Sequence, residues 1–205
     1  MGRGAVILAR HGEPALSRDV RLTGAEYRQW WGRYEEGGLK PGQPIPADLK
    51  AAAVAAGAVV SSTRLRSIES ARALTGADAF TREPDFIEAP LPPPNFPRWL
   101  RLSPRTWGFL ARFWWWWFNH HEEEESRRQA QGRAAAAADR LIALAEGGED
   151  VLLVAHGFFN AMIGRALRAR GWRRTMGRGW RYWSVRRFES AGGSARVDGS
   201  SPEGA

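Results

Sequence analysis

Three short runs gather residue types able to do phosphoryl chemistry: Arg10-His11-Gly12-Glu13, Ser61-Ser62-Thr63-Arg64-Leu65-Arg66 and His156-Gly157. Arginine presents a planar fork that matches phosphate oxygens, and glycine lets backbone approach a ligand closely. A neutral imidazole can attack phosphorus, because its second nitrogen shares the positive charge that forms. Such a set suits transfer of a phosphoryl group through a covalent phosphohistidine, with no metal and no cofactor. A lone histidine after a strand is more often structural. The joint placement of two histidines with arginines and glycines is what points to chemistry.

For these runs to meet, each must end a strand of one sheet. Ala5–Ala9, Ala58–Ser61 and Asp150–Ala155 read as short strands buried on both faces, as in a parallel sheet covered by helices. Each leads straight into one of the polar runs, at the edge where open α/β sheets bind ligands. A further strand is expected at Asp85-Phe86-Ile87, and a final edge strand over Trp180–Phe188. One helix should follow Thr23, with Glu26 completing a capping box and Gly37-Gly38 stopping it. Others are expected over Asp48–Ala56, Leu65–Leu74, Trp107–Phe118 and Ser126–Ala145, and from His156-Gly157 to Ala169. A proline-rich loop, residues 89–105, should cover one end of the sheet. The alternation predicts an α/β fold, a three-layer α/β/α sandwich around a mostly parallel sheet.

Composition narrows the classes. The chain has 205 residues, 43% hydrophobic and 25% charged, an ordinary globular balance. It has no cysteine, which excludes disulfides, thiolate metal sites and a cysteine nucleophile. The formal charge of +8 is nearly all arginine, since Lys40 and Lys50 are the only lysines. The densest cluster, Arg165 to Arg181, sits among Leu, Trp and Tyr without a helix-turn-helix, finger or RNP pattern. Nucleic acid is therefore not an expected partner; anionic phosphorylated ligands are. No signal-peptide core, myristoylation signal or membrane-length apolar run occurs, so a soluble, cytoplasmic protein is expected, without membrane contact. Walker A, Rossmann and Gly-x-Ser-x-Gly patterns are absent. His120-His121-Glu122-Glu123-Glu124-Glu125 lacks His-Glu-x-x-His spacing, so no metal site is expected there. Its glutamates should instead favour the N-terminus of the next helix. Trp114-Trp115-Trp116-Trp117 wraps all sides of a helix: packing under the proline loop, a substrate wall, a homodimer surface and an interfacial membrane contact are its competing readings, the acidic Glu122–Glu125 weighing against the last.

Leu8-Ala9-Arg10-His11-Gly12-Glu13 resembles the signature of the histidine phosphatase superfamily, to which the cofactor-dependent phosphoglycerate mutases belong. The run from Ser61 to Ala71 is similar to its second motif, and Val154-Ala155-His156-Gly157 to its late His-Gly motif. The resemblance implies a phosphoglycerate mutase-like fold. It also implies one histidine phosphatase domain over residues 1–189, with a Pro/Trp-rich cap insertion at 89–125 and a flexible tail at 190–205. His11 is implied as the nucleophile, with Arg10, Arg66 and His156 on the phosphoryl oxygens. Gly157 is implied to offer its N–H, and Ser17 to face the phosphate. Arg66 aligns with the family arginine, leaving Arg64 an exposed neighbour. An acid is implied after the middle strand: Glu88, with Glu83 its competitor. Thr63 departs from the family's proline and Glu69-Ser70 from its Gln-Thr, and the stretch that usually follows the acid is replaced by Ala89-Pro90-Leu91-Pro92-Pro93-Pro94. The expected activity is metal-independent phosphomonoester hydrolysis on a small phosphorylated substrate or a phosphoprotein. The alternatives are a catalytically weak phospho-ligand or protein-binding member of the fold, and a phosphoryl-transferring mutase.

Overall fold

Two apolar faces on each central strand require helices on both sides. In the computed structural model, which describes residues 2–122, 124–177 and 179–191, they have them. Strands β1 (Val6–Arg10), β2 (Ala58–Ser62) and β4 (Val151–Ala155) form the parallel centre. Among the described residues the sheet has six strands, in the order β3 (Thr81–Glu83), β2, β4, β1, β6 (Val185–Ser190), β5 (Trp172–Met176). Ile7, Ala9, Val59, Leu152 and Val154 face α2 (Ala47–Ala55) and α3 (Leu65–Thr75). Val6, Leu8, Val60, Val151 and Leu153 face α5 (Arg127–Ala145) and α6 (Gly157–Ala169). The period-two alternation thus makes the three-layer sandwich.

A third aromatic cluster lies apart from both layers. Tyr27, Trp30 and Tyr34 of α1 (Gly24–Glu36) pack with Trp107 of α4 (Pro104–Phe118). The indole N–H of Trp107 donates to Leu22 O at 2.7 Å, and that of Trp30 to Ser17 O at 3.1 Å. Thr23 and Glu26 form the expected capping box.

Four expectations change. Asp85-Phe86-Ile87 is not a strand: β3 is Thr81–Glu83, and Pro84 starts a 3₁₀ turn over Pro84–Phe86, as a residue without an N–H cannot extend a ladder. The last strand is β6 (Val185–Ser190), not Trp180–Phe188, and it is not an edge. It pairs antiparallel with β1 and is covered by β5 (Trp172–Met176), an edge strand whose four consecutive exposed residues hid it from an alternation test. Helix α4 starts three residues early, with Ser103 as N-cap and Pro104 at its first position. Finally, Ser126 and Gln129 cap α5, while Glu122 pairs with Arg28 and Glu125 with Arg133. Residues 192–205, most of the expected tail, lie outside the described residues; Ser190 belongs to β6.

Candidate active site

Strand register places the reactive ends side by side. Arg10 of β1 pairs with Ala155 of β4, and the His11 N–H continues the ladder to Ala155 O at 2.9 Å. His11 and His156, each one residue past its strand, therefore face each other with ring centroids 5.2 Å apart. Both are almost fully buried. Arg66, on the first turn of α3, reaches up between them.

Hydrogen bonds fix both tautomers. His11 Nδ1 lies 2.7 Å from Gly12 O, which can only accept, so Nδ1 carries the proton and Nε2 the lone pair. Arg66 Nε–H meets that Nε2 at 3.3 Å. Arg66 Nη2 points at His156 Nδ1, also at 3.3 Å, leaving the His156 Nε2–H to donate to Ser62 Oγ at 2.8 Å. Arg66 is itself held by Tyr34 O, Glu35 O and the Glu35 carboxylate, the last at 2.6 Å. Losing one partner of so buried a pair costs roughly 3–5 kcal/mol, so this end of the sheet is also a stability element.

Burial, followed by the Arg66 and Arg10 charges, holds the His11 imidazole well below its ordinary pKa. For His156 the causes are burial, then Arg66, then His11. Both rings are neutral at pH 7 and able to act as bases or nucleophiles. A stability consequence follows. Unfolded histidine titrates near about 6.5, so below that pH the unfolded chain binds more protons than the folded one. The stability tied to the neutral rings is complete above about pH 6.5 and is lost as pH falls toward the folded values. Each ring should steepen the loss by up to about 1.4 kcal/mol per pH unit. Urea midpoints followed from neutral to acid pH should fall more steeply in the wild type than in His156→Gln. Equal slopes would show that His156 is not held neutral by its surroundings.

Arg10, His11, Arg66, Glu88, His156 and Gly157 all line one cavity of about 240 Å³. A Cβ on Gly157 would lie 3.2 Å from Arg10 Cδ and Nε, tighter than ordinary contact, so glycine lets that guanidinium lie across the start of α6. Arg10 donates to Trp180 O and stacks on Tyr182, yet its buried Nε has no partner. Glu88 is separated cleanly from Glu83. The Glu88 carboxylate accepts from the Phe159 N–H at 2.8 Å and the Phe158 N–H at 3.4 Å, at the start of α6, and lies 3.6 Å from Arg112. Glu83 instead pairs with Arg140 of α5 at 3.4 Å.

Ser17 is not brought to the cavity. It is exposed, its hydroxyl accepts from the Asp19 N–H at 3.1 Å, and its neighbour Arg18 lines the cavity instead. Nor is Arg64 simply exposed: it meets the Glu35 carboxylate at 2.8 Å. Sequence reasoning also missed Glu35, Tyr182, Arg112 and Ser70. Ser70 Oγ accepts the Gly12 N–H at 2.9 Å and fixes the turn after His11; its place in the second motif was the available signal. Among Trp114–Trp117, Trp115 is core, Trp117 is exposed, and none lines the cavity. Among the described residues no cluster of three or more possible metal ligands occurs, and no helix is long and apolar enough to cross a membrane.

The profile of the histidine phosphatase superfamily (branch 1) matches residues 6–200. The chain belongs to this superfamily. Solved structures share the superfamily fold with it at low identity. An ecdysone phosphate phosphatase from Bombyx mori, solved with tungstate, aligns at 15% identity and TM-score 0.54, covering 99% of this chain and 98% of its own. The product of a Mycobacterium tuberculosis open reading frame aligns at 21% identity and TM-score 0.52, covering 89% of each chain. A phosphoserine phosphatase mutant from Entamoeba histolytica, solved with phosphoserine, aligns at 16% identity and TM-score 0.52, covering 81% of this chain and 80% of its own. No curated protein gave a significant match.

Proposed function

We propose that the protein is a phosphomonoester hydrolase that works through a phosphohistidine at His11. The observation that carries this reading is the His11 Nε2 lone pair, held toward Arg66 in a cavity lined by further arginines. In the first step Nε2 forms a bond to phosphorus as the bond to the leaving oxygen breaks, and Glu88 gives that oxygen its proton. Arg10 and Arg18 present donors to the phosphoryl oxygens, and the Arg66 Nε–H turns to one of them as His11 Nε2 leaves it for phosphorus. His156, whose single N–H goes to Ser62 and whose Nδ1 meets Arg66, positions that guanidinium. In the second step Glu88 takes a proton from water, water oxygen bonds to phosphorus, and the N–P bond breaks. Glu88 and His11 are thereby regenerated.

Relatives of the same fold are described as phosphatases of phosphoserine and of ecdysone phosphate, which supports hydrolysis without naming the substrate. Trp30, Trp31, Leu91, Phe158 and Trp180 wall the cavity beyond the histidines, and they favour a leaving group with apolar surface. The cysteine-free chain fits a reducing compartment, and the proposal places it in the cytoplasm.

Arginines supply here the positive charge that other phosphatases draw from a metal. Hydrolysis of p-nitrophenyl phosphate should therefore proceed unchanged in excess EDTA. Activity lost on chelation and restored by a divalent cation would contradict the mechanism. A panel of phosphorylated metabolites and phosphoproteins then ranks the substrates.

A further inference from the structure

On the side of the Trp180 segment away from the catalytic histidines lies a second basic groove, between α6 and the β5–β6 edge. Asn160, Gly164 and Arg168, on one face of α6, oppose Arg174, Arg186 and Phe188 of the sheet around a space of about 190 Å³. Gly164 sets the gap: a Cβ there would lie 2.8 Å from the Phe188 ring, so only glycine admits this packing.

The groove holds charge without compensation. Arg186 is only 8% exposed, and no carboxylate lines the groove among the described residues. Its contacts are the Gly179 carbonyl, at 2.8 Å, and the Trp180 ring, 4.7 Å from the guanidinium carbon. Burial, then Arg174, then Arg10 pull its pKa below the ordinary arginine value, the mark of a desolvated cation among like charges. Such a group is stabilised by an anion that replaces its lost water.

Asn160 forms part of the buried wall of the groove. It is 2% exposed, and its Nδ2 donates to Ala9 O at 2.9 Å, which fixes the amide orientation. Its Oδ1 is buried without a partner and lacks a donor. An anion suited to the groove needs several oxygens for Arg168, Arg174 and Arg186. Inorganic phosphate meets this with its tetrahedron of oxygens and its negative charge at neutral pH.

We propose that this groove is a second anion site, distinct from the active cavity, that takes inorganic phosphate. The site stands on these residues alone; the phosphatase reading adds that the ligand is the reaction's own product. Trp180 couples the two places, since its ring lies under Arg186 while its carbonyl accepts from Arg10. Phosphate in the groove fixes the Gly179–Trp180 segment, and with it the Arg10 guanidinium.

Equilibrium dialysis of the full chain with radiolabelled inorganic phosphate tests this. Arg168→Ala/Arg174→Ala removes two exposed side chains, so it folds, and bound phosphate should fall by one per chain. The charge-matched control Arg33→Ala/Arg128→Ala, at exposed positions elsewhere, should leave the count unchanged. Unlabelled phosphate should displace the label from the groove, and chloride at the same concentration, having no set of oxygens for several guanidinium forks, should not. An unchanged count in Arg168→Ala/Arg174→Ala, an equal loss in the control, or equal competition by chloride would each overturn the proposal. Failure of the active-site reading looks different: the wild type would then bind a single phosphate that Arg168→Ala/Arg174→Ala abolishes.

Discussion

His11→Ala should lose turnover by on the order of 10⁶-fold, as when a nucleophile is removed from a set that acts as a unit. The fold should survive. The backbone bond from His11 N to Ala155 O does not depend on the side chain, and Arg66 keeps its three contacts to Tyr34 and Glu35. A small cavity remains, at a strand end rather than between the layers. Near wild-type hydrolysis of p-nitrophenyl phosphate by a folded His11→Ala would end the assignment. Circular dichroism and a melting curve on the same sample separate loss of chemistry from loss of structure.

Glu88→Gln should separate substrates by their leaving groups. An alkyl phosphate needs its oxygen protonated in the transition state, and removing a general acid slows such steps by about 10²–10⁴-fold. From p-nitrophenyl phosphate the leaving group departs as the phenolate without needing a proton, so formation of phosphohistidine should suffer far less. Its breakdown still needs a base, and the expected time course is a burst followed by a slow steady rate. The amide keeps an oxygen for the Phe159 N–H, so the start of α6 should hold its place. Glu83→Gln should do neither, because Glu83 faces Arg140 and not the cavity. A large loss in Glu83→Gln with equal, small losses in Glu88→Gln would move the acid upstream. Rates on the two ester types measure both outcomes.

The central strands were legible because β1, β2 and β4 are apolar on both faces and each ends in a polar run. Burial from two sides leaves a short continuous apolar run, which its length and the glycine and proline punctuation around it assign to a strand. From there, parallel register alone brings His11 beside His156. The periphery was harder. Strand β5 reads Trp-Arg-Arg-Thr-Met and shows water four exposed side chains, so its pairing with β6 leaves no mark in hydrophobic spacing. Sheet edges are held by backbone bonds that any non-proline residue can make.

In the site, residues carried by the three motifs could be found, and those that arrive from distant segments could not. Glu35 reaches Arg66 from the last turn of α1, and Trp180 reaches Arg10 across 170 residues. Ser17 shows the converse. Its neighbourhood in the chain is right, but the turn after Pro14 aims Arg18 inward and spends the Ser17 hydroxyl on the Asp19 N–H. Side-chain direction within an irregular loop has no period to read.

The central claim is that phosphate passes through a covalent bond to His11 Nε2. Wild-type protein mixed with a phosphorylated aryl substrate, quenched within one turnover in alkali, and digested should yield one phosphopeptide. Its added phosphate should map to His11 and disappear on acid treatment, as an N–P bond does. Under the same conditions His11→Ala should carry none. Product phosphate released at full rate while no phosphohistidine forms in the wild type, or label found at His156 instead, would contradict the account.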